Sequence, residues 1–259
     1  MTQTNGRRKK MENQLTDRDL WKSYWENYHF TPIEENPVYK KYIRPASPQA
    51  RFIEIGGFPG LNAGYFYRHV CRDVTLLDFY VEPEVIRKVE SQNQIPAHTI
   101  KSIEADFFSF QSRERYDIVF SLGFIEHFRD TRDVIARHAA LLAEGGQLLI
   151  LLPNLRGING AVQYLFDREN LRIHNLDSMV PSRLRHICEE LGLENIRVEY
   201  TRKPMVWLEP KAGKKQHAAR LLVKALSYGL KLFPIKCRLL SPYLVISATK
   251  GMPQPATKS

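Results

Sequence analysis

The sequence predicts an α/β fold, a doubly wound and mostly parallel sheet with helices on both faces. Three observations carry this. Short apolar and β-branched runs alternate with helical segments from Arg51 onward. Two of those runs, "YDIVFSL" and "QLLILLPN", are almost wholly apolar, as expected of strands covered on both sides. The first run, "RFIEIG", passes into the glycine-containing turn "GGFPG" and then a helix, an arrangement that brings a ligand to strand ends.

The elements follow in order. Residues 1–15 are polar, aperiodic and contain Arg7, Arg8, Lys9 and Lys10, so a disordered basic tail is expected there. A helical cap is expected over 16–47. Within it, "LTDRDLWKSYWENYHF" offers Thr16 or Asp17 as N-cap and sets Leu20, Trp21, Tyr24, Trp25 and Tyr28 at helical spacing. "VYKKYI" adds a short helix before Pro45. The main domain is assigned to 48–250. Its strands are "RFIEIG", "DVTLLDF", "HTIKSIEAD", "YDIVFSL" and "QLLILLPN". Between them lie the helices "LNAGYFYRHVC", "EPEVIRKVESQN" with Pro83 in its first turn, and "TRDVIARHAALLAEGG", closed by Gly145 or Gly146.

Beyond Asn154 the rhythm breaks. Residues 156–180 are mixed and contain glycines, and read as an insertion near the strand ends. "VPSRLRHICEELGL" is a helix, and "ENIRVEYTRK" is the sixth strand. A basic helical insertion over 209–240 precedes the seventh strand, "SPYLVISATK", and a flexible tail is expected over 251–259.

Composition narrows the function classes. At 259 residues the chain can bury a full core. No apolar run approaches the roughly 20 residues that cross a bilayer, and no apolar h-region follows the basic start. Cys71, Cys188 and Cys237 are scattered without metal-ligand spacing and suit reduced thiols, so a cytoplasmic setting and no metal site are expected. The net charge is +10. Residues 201–238 hold ten Lys or Arg against one acid, Glu209, and the N-terminal four basic residues add to this, leaving the rest slightly acidic. The basicity belongs to two segments and not to the fold.

Three acids fall where a nucleotide-type ligand wants them. Glu54 ends the first strand, Asp78 ends the second at the distance of a ribose-binding acid, and Asp106 follows the third. A dinucleotide fingerprint would need glycine where Phe58 and Leu61 stand, and no phosphate loop occurs. An acid beside the turn instead suits a cationic ligand.

These motifs resemble the class I S-adenosylmethionine-dependent methyltransferases. "EIGGFPG" matches the family's acid-x-Gly-x-Gly-x-Gly loop at Glu54, Gly56 and Gly60, with Gly57 beside them, and departs from it at Phe58. "LLDF" resembles the second motif and "ADFF" the third. "YDIVFSLGFIEHF" resembles the fourth-strand motif with its following loop, and "LLAEGGQLLILLPN" the fifth strand. The resemblance covers about residues 48–155 and implies a Rossmann-like seven-stranded sheet with S-adenosyl-L-methionine as cofactor. It carries the ribose acid onto Asp78, adenine packing onto Phe79, Asp106 and Phe107, and further cofactor contacts onto Ser121 and Leu122.

For the methyl acceptor, His127 in "GFIEHF" and His174 in "RIHN" are the candidate catalytic residues, with Glu126 to orient either. The helix "HAARLLVKALSYGLKLF" gathers His217, Arg220, Lys224, Ser227 and Lys231 on one face against a broad apolar arc. That pattern points to a small or amphiphilic acceptor, such as a lipid-linked or polysaccharide-related intermediate, with peripheral contact at the inner membrane face through residues 211–238. The runner-up is an RNA methyltransferase, against which stands the lack of an appended RNA-binding module. A non-catalytic scaffold subunit of the same fold is the alternative from a different class.

Overall fold

The computed structural model describes residues 13–26, 32–209, 211, 213–233 and 235–252. Residues 1–12 of the basic tail expected over 1–15, Tyr28, and residues 253–259 of the tail expected over 251–259 lie outside the described residues.

Seven strands form one sheet: β1 (Arg51–Ile55), β2 (Asp73–Asp78), β3 (Ile100–Glu104), β4 (Tyr116–Leu122), β5 (Leu142–Pro153), β6 (Leu193–Thr201) and β7 (Tyr243–Lys250). Their spatial order is β3-β2-β1-β4-β5-β7-β6. The first five pair in parallel, whereas β7 runs antiparallel between β5 and β6. The order reverses between β1 and β4, the switch point at which open α/β sheets bind ligands.

Strand residues divide alternately between the two faces, as the two-residue period requires. On one face, Ile53, Val119, Leu148, Ile150 and Ile246 pack against Val134 and Ile135 of α5 (Thr131–Leu141) and Leu184 and Ile187 of α8 (Pro181–Glu190). On the other, Phe52, Ile118, Phe120, Leu149 and Val245 pack against Phe66 of α3 (Leu61–His69) and Ile86 of α4 (Pro83–Gln92). Phe52 stacks on Phe66 with ring centroids 4.1 Å apart. Tyr39 of α2 (Pro37–Tyr42) closes that second core.

Helix α1 (Arg18–Glu26) lies across the strand ends. Arg18 pins it by donating to the Phe79 carbonyl at 3.3 Å and pairing with Glu104. Residues 156–180 fold into α6 (Ile158–Phe166), α7 (Arg168–Arg172) and a short 3₁₀ turn, Leu176–Met179. Helix α9 (Lys214–Leu230) sets Val223 and Leu230 against Val162 of α6.

Three expectations are corrected. Residues 13–15 are ordered: Gln14 bridges Phe128, and the Leu15 N–H donates to the His127 carbonyl at 2.9 Å, so the loop after β4 satisfies this backbone. Helix α5 stops at Leu141, and Gly145 and Gly146 shape a bulge inside β5. Gly145 has φ +73°, and a Cβ on Gly146 would come within 2.8 Å of the Ala143 carbonyl oxygen. Ser227 leaves the basic face of α9. It is buried and its hydroxyl accepts from the Val206 N–H at 3.3 Å.

Candidate active site

A cavity of about 410 Å³ opens at the carboxyl ends of β1, β2 and β4 beneath α1, a size that suits a cofactor-sized ligand. One end is built by the turn after β1. Gly56 has φ +65°, and a Cβ there would lie 2.3 Å from Phe124; one on Gly57 would lie 2.2 Å from Glu54. The turn must therefore present bare backbone to the cavity.

Glu54 sits behind that turn at 1% exposure. Its Oε1 accepts from the Asn62 side chain at 2.7 Å and its Oε2 from the Ala63 N–H at 2.9 Å. The Tyr39 hydroxyl donates in turn to Asn62 at 2.7 Å. Burial pushes the Glu54 carboxyl up to about 8 despite these donors. Asp78 accepts from the Phe58 and Tyr80 N–H groups at 3.0 and 3.1 Å, and burial raises it to about 6. Each Asp78 oxygen keeps a lone pair for a further donor. Asp106 accepts from the Phe108 N–H at 2.8 Å.

Phe58, standing where a glycine was expected, is 2% exposed, and its peptide bond to Pro59 is cis. Its ring packs edge-on between Trp25 and Tyr80, with both centroid distances 5.5 Å. This residue therefore anchors α1 to the cofactor turn.

The other end of the cavity is made by Glu126, His127, Asn170 and His174. Burial lowers His127 to about 3, with the neighbouring His174 adding to the effect. Burial lowers His174 as well and raises Glu126 to about 8. Trp21 meets His127 edge-on at 5.1 Å, and Leu20, Tyr24 and Trp25 complete the roof.

The cavity thus brings together Glu54, Gly56, Gly57, Asp78, Phe79, Asp106, Phe107, Leu122, His127 and His174. Two of the expected residues do not line it. Gly60 lies beneath the turn at the start of α3 with φ +96°, where a Cβ would face Ile100. Ser121 is fully buried, with its hydroxyl 3.2 Å from His138 Nε2. Trp207, Glu209 and Tyr243 were not foreseen. The signal for the first two is an alternation in "VWLE": Val206 and Leu208 are buried against α9, while Trp207 and Glu209 line the cavity. Tyr243 opens β7 and carries no such signal.

The bare glycine turn, the carboxylate at the end of β2 and the aromatic Phe79 and Phe107 fit an adenosine-type cofactor with a charged amino-acid arm. A family profile described as a methyltransferase domain matches residues 24–198. The chain belongs to the class I S-adenosylmethionine-dependent methyltransferases. Among solved structures, this methyltransferase is similar to phosphoethanolamine N-methyltransferase 2 of Haemonchus contortus, at TM-score 0.58 and 16% identity. That match covers 83% of this chain and 51% of the other, so the chain spans about half its length. It is also similar to a methyltransferase of Archaeoglobus fulgidus, at TM-score 0.52 and 15% identity, covering 90% and 95% of the two chains. A third, from Mesorhizobium loti, has TM-score 0.54 and 14% identity over 83% and 96%. Comparison with curated proteins finds no match. Among the described residues, no helix of the methyltransferase is long and apolar enough to cross a membrane.

Proposed function

We propose that the protein transfers the methyl group of S-adenosylmethionine to a small, amphiphilic acceptor. The observation that carries this is the continuity of one cavity from the glycine turn and Asp78 to the His127–His174 end. In this reading Asp78 holds the ribose hydroxyls, Phe79, Asp106, Phe107 and Leu122 enclose the adenine, and Gly56 and Gly57 let the backbone approach the amino-acid arm. When bound, the cofactor supplies a methyl group on a cationic sulfur that leaves as a neutral thioether. Trp21, Tyr24 and Trp25, in the cap over 16–47, exclude water from the reacting atoms. His174 and His127, neutral at physiological pH, are the groups placed to accept the acceptor's proton during or after attack, and burial makes His127 the weaker base. Residues 156–180 form the acceptor side of the domain.

The acceptor's amphiphilic character is inferred from the outer surface of α9. Leu221, Leu222, Leu226 and Tyr228 are exposed there, and Leu232, exposed to 80%, and Phe233 follow just past the helix's end at Leu230. Residues 210–242 contain no acid and eight Lys or Arg. An apolar patch rimmed by cations complements an anionic lipid surface. The same segment builds the cavity wall, because Val206 and Leu208 support α9 while Trp207 and Glu209 face the cavity. A lipid-linked or polysaccharide-related intermediate would then pass from membrane to cavity over the segment 206–209.

Calorimetry with S-adenosylmethionine and S-adenosylhomocysteine tests the first part: both should bind, and binding of neither would defeat the enzyme reading. Sedimentation with anionic and neutral vesicles tests the second. Equal binding to both would remove the electrostatic contribution.

A further inference from the structure

Glu126, His127 and His174 each offer one ligand atom within 4.8 Å of the other two. The imidazole ring centroids of His127 and His174 are 4.7 Å apart. His127 Nδ1 lies 3.0 Å from the Ile173 carbonyl oxygen, and His174 Nδ1 lies 2.6 Å from that of Asn170. A carbonyl can only accept, so each Nδ1 carries the proton and each Nε2 presents a lone pair. Fixing the tautomer by a backbone carbonyl is how proteins orient metal-ligating histidines. Glu126 is 1% exposed, and its Oε2 is buried with no hydrogen-bond partner.

Two imidazole lone pairs and a carboxylate oxygen therefore converge without a donor among them. A proton on Glu126 could satisfy one imidazole and would leave the other unpaired. A single cation satisfies all three. We propose that Glu126, His127 and His174 form a site for one divalent transition-metal ion of the zinc, cobalt or manganese class, which imidazole and carboxylate ligands suit. Ligands about 2.1 Å from zinc stand about 3.4 Å apart in a tetrahedron, so closure needs a contraction of at most about 1.4 Å by side-chain torsions.

All three residues line the cavity, so an ion held by them would border the space in which the acceptor would sit. What the ion would do there rests on the methyl-transfer reading; whether it binds does not. An acceptor hydroxyl held by the ion would lose its proton more readily, favouring an oxygen acceptor over an amine. The proton, which the free imidazoles take in the metal-free site, would then go to bulk water because both Nε2 lone pairs are on the ion. The oxygen's electron pair would form the new C–O bond as the C–S bond breaks onto sulfur.

The test uses untagged full-length protein stripped with chelator and titrated with Co²⁺, with visible ligand-field absorption as the readout and Zn²⁺ as competitor. One Co²⁺ per chain should bind and be displaced by Zn²⁺. His174→Ala and Glu126→Gln should each weaken binding by at least the roughly 10–100-fold that losing even an outer-shell partner costs. His69→Ala, which alters a histidine paired with Glu35 on the surface, should leave the signal unchanged. S-adenosylhomocysteine affinity, measured on every variant, reports folding and the cofactor reading separately. Absence of a Co²⁺ signal in protein that still binds S-adenosylhomocysteine would overturn the metal site alone. A signal that survives His174→Ala and Glu126→Gln would overturn it as well.

Discussion

At the residue scale, Asp78 and Phe58 show what a sequence discloses and what it withholds. Asp78 is legible because its distance along the chain from the glycine turn follows from the geometry of one strand–helix–strand unit. Replacing it with Ala should weaken S-adenosylhomocysteine binding by about 1.5–3 kcal/mol, the worth of charged hydrogen bonds, and by more than Asp106→Ala does. Equal losses in calorimetry would count against the ribose assignment. Phe58 is not legible, since its partner Trp25 is distant in sequence and only the tertiary fold joins them. Read as a turn residue alone, its replacement by Gly would leave the cofactor site equal or better. Its burial instead predicts a stability loss of about 3 kcal/mol or more for Phe58→Gly in denaturant unfolding, and a smaller loss for Phe58→Leu. Identical midpoints for the two variants would remove the packing account. The raised carboxyls make a further prediction. Glu54, near 8, and Asp78, near 6, bind protons in the ligand-free cavity, and a cationic cofactor favours their ionised forms. Binding should therefore release protons and tighten as pH rises from 6 to 8, by at most about tenfold per unit for one proton. S-adenosylhomocysteine, lacking the sulfonium charge, should respond less; a pH-independent ratio of the two affinities would contradict this.

At the element scale, the basic helix was readable from its period and misread in one detail. A wheel places Ser227 with the lysines, but it cannot know that an extended segment, Val206–Leu208, will pack along that edge. Helix α5 likewise reads through to its glycines, because nothing local distinguishes a cap from the bulge that β5 needs beside Tyr116. The outer side of α9 gives the element its own test. Leu222→Asp combined with Leu226→Asp should abolish sedimentation with anionic vesicles and leave S-adenosylhomocysteine affinity unaltered, since both side chains face away from the cavity. Unchanged sedimentation would remove α9 from the membrane reading.

At the scale of the whole molecule, the alternating apolar runs made the sheet and its two covers legible, while the joining of its distant parts at one cavity was not. Trp207 and Tyr243 stack at 5.6 Å although they belong to segments on either side of the basic insertion. A ligand spanning the cavity should stabilise the entire domain. At a hundred times its dissociation constant, S-adenosylhomocysteine should add about 2.7 kcal/mol and raise the melting temperature by roughly 5–10 °C; no shift at saturation would argue that it does not select the folded state. The insertion of β7 between β5 and β6 also has a consequence for how the protein is made. The strands that carry Glu54 and Asp78, and the turn after β4 that carries His127, leave the ribosome long before residue 250 does. Until then β5 lacks its antiparallel neighbour and β6 has no strand to pair with. During synthesis the nascent chain must hold an open, apolar sheet edge for the whole time that 154–242 is being translated. A chaperone that shields strand edges should therefore engage nascent chains stalled after β5, and release them once β7 has emerged.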